Sequence, residues 1–140
     1  MGVVIVFPVE FLVLGTPPSH QSARRDALAD WKGTVREASR SALPEGHFAT
    51  DALVAVTVYY FTDGSGSGDL DNIIKPILDA MSRHIYRDDK QVARLLVQRF
   101  EPDDDIQFLK PSSLLTQAQQ GDRPILYVRI DDQPLRQVAE

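Results

Sequence analysis

The apolar positions of this chain change rhythm several times between Gly2 and Asp131, and each rhythm predicts an element. The longest apolar run is GVVIVFPVEFLVLG, Gly2 to Gly15. It predicts one strand from Val3 to Leu14, or two strands broken at Pro8, because proline cannot donate to a ladder. GTPPSHQS then punctuates the chain. From about Ala23 to Leu43 the period is helical, with Ala27, Leu28, Trp31, Val35, Ala38 and Ala42 on one face. Arg25, Lys32, Arg36 and Arg40 fall on the opposite face as a basic stripe. ALVAVTVYYF, Ala52 to Phe61, is β-branched, aromatic and apolar on both faces, which marks an interior strand. TDGSGSG holds too many glycines for a regular element. A second helix follows, from about Asp71 to Ile85, burying Leu70, Ile73, Ile74, Ile77, Leu78, Met81 and Ile85. Pro76 is placed in its first turn, where proline is tolerated, and Asp69 in the approach to its N-terminus.

Beyond YRDDKQ, the segments VARLLVQRFE and RPILYVRID are strand-like. Between them, PSSLLTQAQQ predicts a short helix capped by Ser112 or Ser113. The order is strand, helix, strand, helix, strand, helix, strand. With no internal repeat and no linker-like break, 140 residues read as one α+β domain, residues 1–140, with a small mixed sheet packed by helices.

Composition narrows the chemistry. There is no cysteine, so disulfides and thiolate metal sites are excluded, and His20, His47 and His84 have no ligand spacing. Any metal would be held mainly by oxygen, which suits magnesium, manganese or calcium. The N-terminal run contains Pro8 and Glu10, lacks a basic leader and is too short to span a bilayer. No membrane association and a cytoplasmic location are the expectation. A net charge of −5 speaks against a general nucleic-acid binder, because phosphate contacts come from Lys and Arg. Acids gathered around a cation would change that sum, so their distribution matters more. The basic stripe is either a solvated helix side or a track for a phosphate backbone.

The acids concentrate in GDLDNIIK, Gly68 to Lys75, and in RDDK, Arg87 to Lys90. Asp69 and Asp71 could serve as a helix cap with dipole-favoured charge, Lys75 pairing at i+4. An EF-hand loop starting at Asp63 would place Ser65, Ser67 and Gly68 correctly but needs a glutamate where Ile74 stands. That rejects the EF-hand and leaves a looser calcium loop open. The third reading is a carboxylate metal site completed by Asp88 or Asp89. A 15-residue helix would be about 22 Å long, so those acids would start at its far end. Either a partner subunit supplies them or the turn folds back. Asp79 pairs with Lys75, and EPDDD, Glu101 to Asp105, reads as a solvated turn.

GDLDNIIKPILDAMSRHIYRDDKQVARLLVQR resembles the central motif of RusA-type Holliday junction resolvases. The matching parts are Asp69, Asp71 and Asn72; Lys75; Asp79 with Ala80; Tyr86; Asp88 with Asp89; and Gln91 with Val92. GTPPS is similar to the turn that follows the family's first strand. The resemblance implies a RusA-like α+β homodimer that uses Mg2+, or Mn2+, to cut four-way junction DNA by paired nicks in recombination and repair. It implies Asp69, Asp71 and Asp89 as metal-binding catalytic residues and Lys75 as the basic residue at the phosphate, with Asp88 adjacent. DNA contacts would then fall to Arg24, Arg25, Lys32, Arg36 and Arg40. The rival expectations are a catalytically inactive branched-DNA-binding protein and a calcium-binding module built on the Asp63–Asn72 loop.

Overall fold

A computed structural model describes residues 2–18, 24–65 and 69–136. Strands and helices alternate along them: β1 (Val9–Leu14), α1 (Arg25–Ser39), β2 (Val54–Phe61), α2 (Leu70–Met81), β3 (Val92–Phe100), α3 (Ser113–Gln120) and β4 (Ile125–Asp131). Single 3-10 turns follow α1 at Arg40–Ala42 and precede β3 at Asp89–Gln91. The sheet order is β1-β4-β2-β3. β2 and β3 run parallel, while β4 is antiparallel to both β1 and β2. Parallel neighbours need a crossover, and α2 is that crossover. The sheet is therefore mixed, as the sequence predicts.

Both faces of the central strands β2 and β4 are covered, which explains the two-sided apolar pattern of β2, whereas Leu95 and Leu96 of edge strand β3 stay exposed. Val54, Val56, Val58 and Tyr60 of β2 pack under α1 and α2 with Val35, Ile73, Ile77 and Met81. On the other face Phe61, Phe100, Ile125 and Tyr127 pack with Leu115 and Ala118 of α3. Ser112 is the cap of α3, its hydroxyl accepting from Leu115 N at 3.1 Å.

Two boundaries and the place of one proline differ from expectation. The first strand begins at Val9, after Pro8, whereas Val3 makes only an isolated bridge to His47 and leaves Val4 and Val6 exposed. The second helix stops at Met81 instead of Ile85. Ser82 is extended (ψ 138°) and Arg83 is left-handed (φ 59°), so hydrophobic period continues into Ile85 without helical backbone. Ile85 is fully buried from the turn that follows. Pro76 lies in the second turn of α2, counted from Leu70, not in the first. Its buried ring packs in the core, and its missing N–H leaves the Asn72 carbonyl without the usual i+4 donor.

Candidate active site on helix α2 and the returning turn

Asp69 occupies the N-cap position of α2, with extended backbone (φ −73°, ψ 143°). Its carbonyl accepts from Asn72 N and Ile73 N, both at 3.1 Å. Its carboxylate makes no capping hydrogen bond. A pure cap would use that oxygen on a backbone N–H of the first turn, so the exposed carboxylate is available for other work. Asp71, also exposed, sits in the first turn, where the partial positive charge of the helix end favours an acid.

The chain beyond α2 doubles back along the helix. Ile85 N donates to Met81 O at 2.9 Å, Ser82 bridges Tyr86, and the Tyr86 hydroxyl donates to Leu78 O at 2.8 Å. Tyr86 is fully buried, and its phenol pKa is raised by burial first, then by the negative charges of Asp89 and Asp79. This return places Asp89 Oδ2 3.8 Å from Lys75 Nζ. The distance difficulty is thus removed as far as Lys75, within one chain. Helix α2 has 12 residues, and the turn retraces part of its length.

Neighbouring Asp88 and Asp89 do different things. The Asp88 carboxylate caps the 3-10 turn, accepting from Lys90 N at 2.8 Å, and that bond foremost holds its pKa below the usual value. Gln91 completes a capping box. Its Oε1 accepts from Arg87 N and Asp88 N at 2.9 and 3.0 Å, and its Nε2 donates to Thr50 O and Ala52 O at 2.8 and 2.9 Å. All four hydrogen-bonding valences of the amide are used, which staples the turn to the loop before β2. Arg87 adds an ion pair to Asp51 at 2.8 Å.

Lys75 also donates to Asp79 Oδ1 at 3.0 Å, and Asp79 is 3.6 Å from Lys32 of α1. Asp79 first, and Asp89 after it, hold the Lys75 pKa above its ordinary value. The rest of the basic stripe is partly occupied. Arg36 donates to Ala80 O at 3.1 Å, Arg40 pairs with Glu37 at 3.2 Å, and Arg24 with Asp26 at 3.7 Å. Arg25 is exposed at the start of α1.

Residues 18–106 match the family described as Endodeoxyribonuclease RusA, well over half of the chain. The chain belongs to the RusA endodeoxyribonuclease family. The RusA match runs from Pro18 through α1, β2, α2 and β3 to Ile106, and so includes every residue of the site described in this subsection. No curated protein sequence matches the chain.

Among the described residues, no three His, Asp or Glu side chains gather closely enough to hold a metal ion. Asp69 and Asp71 flank the start of α2, and Asp89 lies one turn further along at Lys75. The donor set fits a hard divalent cation in chemistry, being exposed carboxylate oxygen with no capping duty on Asp69. In the proposed calcium loop, Asp63 accepts from Ser65 N at 2.9 Å, a local turn, while Ser67 and Gly68 lie outside the described residues, as do Ser19, His20 and Gln21. No described helix is long and apolar enough to cross a membrane.

Sequence reasoning gave Lys32 to DNA contact and Gln91 only to the family motif, and missed what each does inside the fold. Lys32 meets Asp79 only through helix packing, which no spacing reveals. Gln91 did carry a signal, because Asp88-x-x-Gln91 is capping-box spacing.

Proposed function

We propose that this chain is a divalent-metal-dependent, structure-selective endodeoxyribonuclease that resolves four-way DNA junctions by paired nicks, working as a homodimer in recombination and repair. The observation that carries the reading is the return of Asp89 to Lys75 on the helix whose N-terminal end bears Asp69 and Asp71. Asp69, Asp71 and Asp89 would hold Mg2+ or Mn2+ only by drawing closer together than they stand here, their side chains converging on the ion. The bound ion supplies Lewis acidity, activating water and stabilising the attacking and leaving oxygens of a phosphodiester.

The chain's own groups do the rest. The N-terminus of α2 and the Lys75 ammonium present positive charge where a scissile phosphate would accumulate negative charge. Gln91 fixes the turn that carries Asp89. The exposed residues Arg24, Arg25 and Arg40 offer further phosphate contacts, while Lys32 and Arg36 also hold α1 against α2. One two-fold axis of a dimer can relate both scissile phosphates of a symmetric junction.

The test is cleavage of a labelled immobile four-way junction and a matching linear duplex, with magnesium, manganese, calcium or chelator. Paired symmetric nicks confined to the junction and to magnesium or manganese are expected. Asp71→Asn should lower cleavage by about 10²-fold or more while junction binding persists. Binding without cutting in any metal would leave a branched-DNA-binding protein, and retained cleavage by Asp71→Asn would remove Asp71 from the site.

A further inference from the structure

Four side chains of alternating charge form a line across the α1–α2 contact. Lys32 Nζ lies 3.6 Å from Asp79 Oδ2, Asp79 Oδ1 lies 3.0 Å from Lys75 Nζ, and Lys75 Nζ lies 3.8 Å from Asp89 Oδ2. We propose that Asp79 is a positioning residue: braced by Lys32 from α1, it holds the Lys75 ammonium beside Asp89. This deepens the nuclease site proposed above and rests on it for its functional consequence.

Three features support the assignment. Asp79 divides its two oxygens between two lysines, one on its own helix and one on α1. Its side chain is 27% exposed, against 48% for Lys75 and 43% for Asp89, so its charge is the least screened in the line. A lysine four residues before an acid is the weaker order for an intrahelical pair, so local helix pairing alone is a poor account of Asp79. A second cation from another helix makes it a junction between elements. Lys75 carries a compact charge on a flexible four-carbon stem. Released from Asp79, that stem would keep only the longer contact to Asp89.

The line also separates the two acids in kind. Asp89 is at its end and has an oxygen without a partner in the line, whereas Asp79 has both oxygens engaged by lysines. Asp79 acts on Lys75, and Asp89 stays exposed at the end of the line.

Nitrogen-15 relaxation of the Lys75 ammonium in the metal-free protein tests the positioning directly and needs no nuclease activity. The ammonium should be restricted in the wild type and mobile in Asp79→Asn. Lys32→Met should give an intermediate result and Asp89→Asn one near wild type. Asp79→Glu, which keeps the charge, should restore part of the order. An Asp79→Asn protein that stays folded by its melt and keeps Lys75 ordered overturns the proposal.

On a four-way junction, Asp79→Asn should lower kcat about ten- to hundredfold through misplacement of Lys75, with junction affinity unchanged. It should cost nothing further in a Lys75→Met background. An equal extra loss in that background means Asp79 acts by itself, and the proposal fails. A wild type that cuts no junction overturns the nuclease reading instead, and the relaxation result alone then decides the role of Asp79.

Discussion

At the scale of single residues, the site is organised by side chains that bond backbone. Gln91 replaces four solvent hydrogen bonds with four protein ones, two from its own turn and two from the Thr50–Ala52 segment. Gln91→Met keeps the shape and loses all four. Since each such bond contributes about 1 kcal/mol net and its loss strands partly covered backbone groups, a destabilisation of about 1–3 kcal/mol is expected. Denaturant unfolding would measure it, and a change below a few tenths would show that the staple is not formed in solution. The contrast between Asp88 and Asp89 also belongs here. Two adjacent, chemically identical carboxylates are separated by where the 3-10 turn points them: one into Lys90 N, the other toward Lys75. The sequence shows the pair but not the division of labour, because that depends on how the turn orients each carboxylate.

At the scale of elements, helix starts are more legible than helix stops. Capping is local chemistry, and the sequence narrows the α3 cap to Ser112 or Ser113, of which the structure uses Ser112. Its hydroxyl also donates to Glu10 Oε2 at 2.6 Å, tying α3 to β1. Ser112→Ala therefore loses a cap and a strand contact together. It should cost about 1–2 kcal/mol, read as a lowered melting temperature without loss of junction cleavage. An unchanged melt would mean solvent satisfies Leu115 N equally well. The C-terminal end of α2 was misjudged for a physical reason: Ile85 continues the apolar period although the helix has ended. The periodicity reports which residues are buried, and burial can be met from a turn as well as from a helix. That early stop is what lets Tyr86 reach Leu78 O and the acidic turn come back.

At the scale of the whole molecule, α1, the loop before β2 and the returning turn meet at His84. His84 Nε2 lies 2.7 Å from Ser39 Oγ, and His47 Nε2 donates to the His84 carbonyl at 2.9 Å. Since the Ser39 hydroxyl donates to Arg36 O, His84 donates to Ser39. Burial first, then His47, Arg36 and Arg40, lower the His84 pKa from 6.5 to about 4. Between those values the unfolded chain binds a proton that the folded chain resists. This contribution to stability is therefore full above pH 6.5 and is lost as pH falls toward about 4. Melts of the wild type and His84→Gln at about pH 7.5 and about pH 5 should show the wild type losing more on acidification. A difference between the two proteins that is the same at both pH values would sink the assignment. Much of this architecture was determined by sequence: the element order, the two-sided strands, the α3 cap and the family motif all follow from local pattern. Tertiary structure alone decided that β4 inserts between β1 and β2, that Lys32 reaches Asp79, and that Asp89 returns to Lys75. Periodicity and capping are properties of neighbouring residues, whereas these meetings depend on how elements pack and where a turn sends the chain.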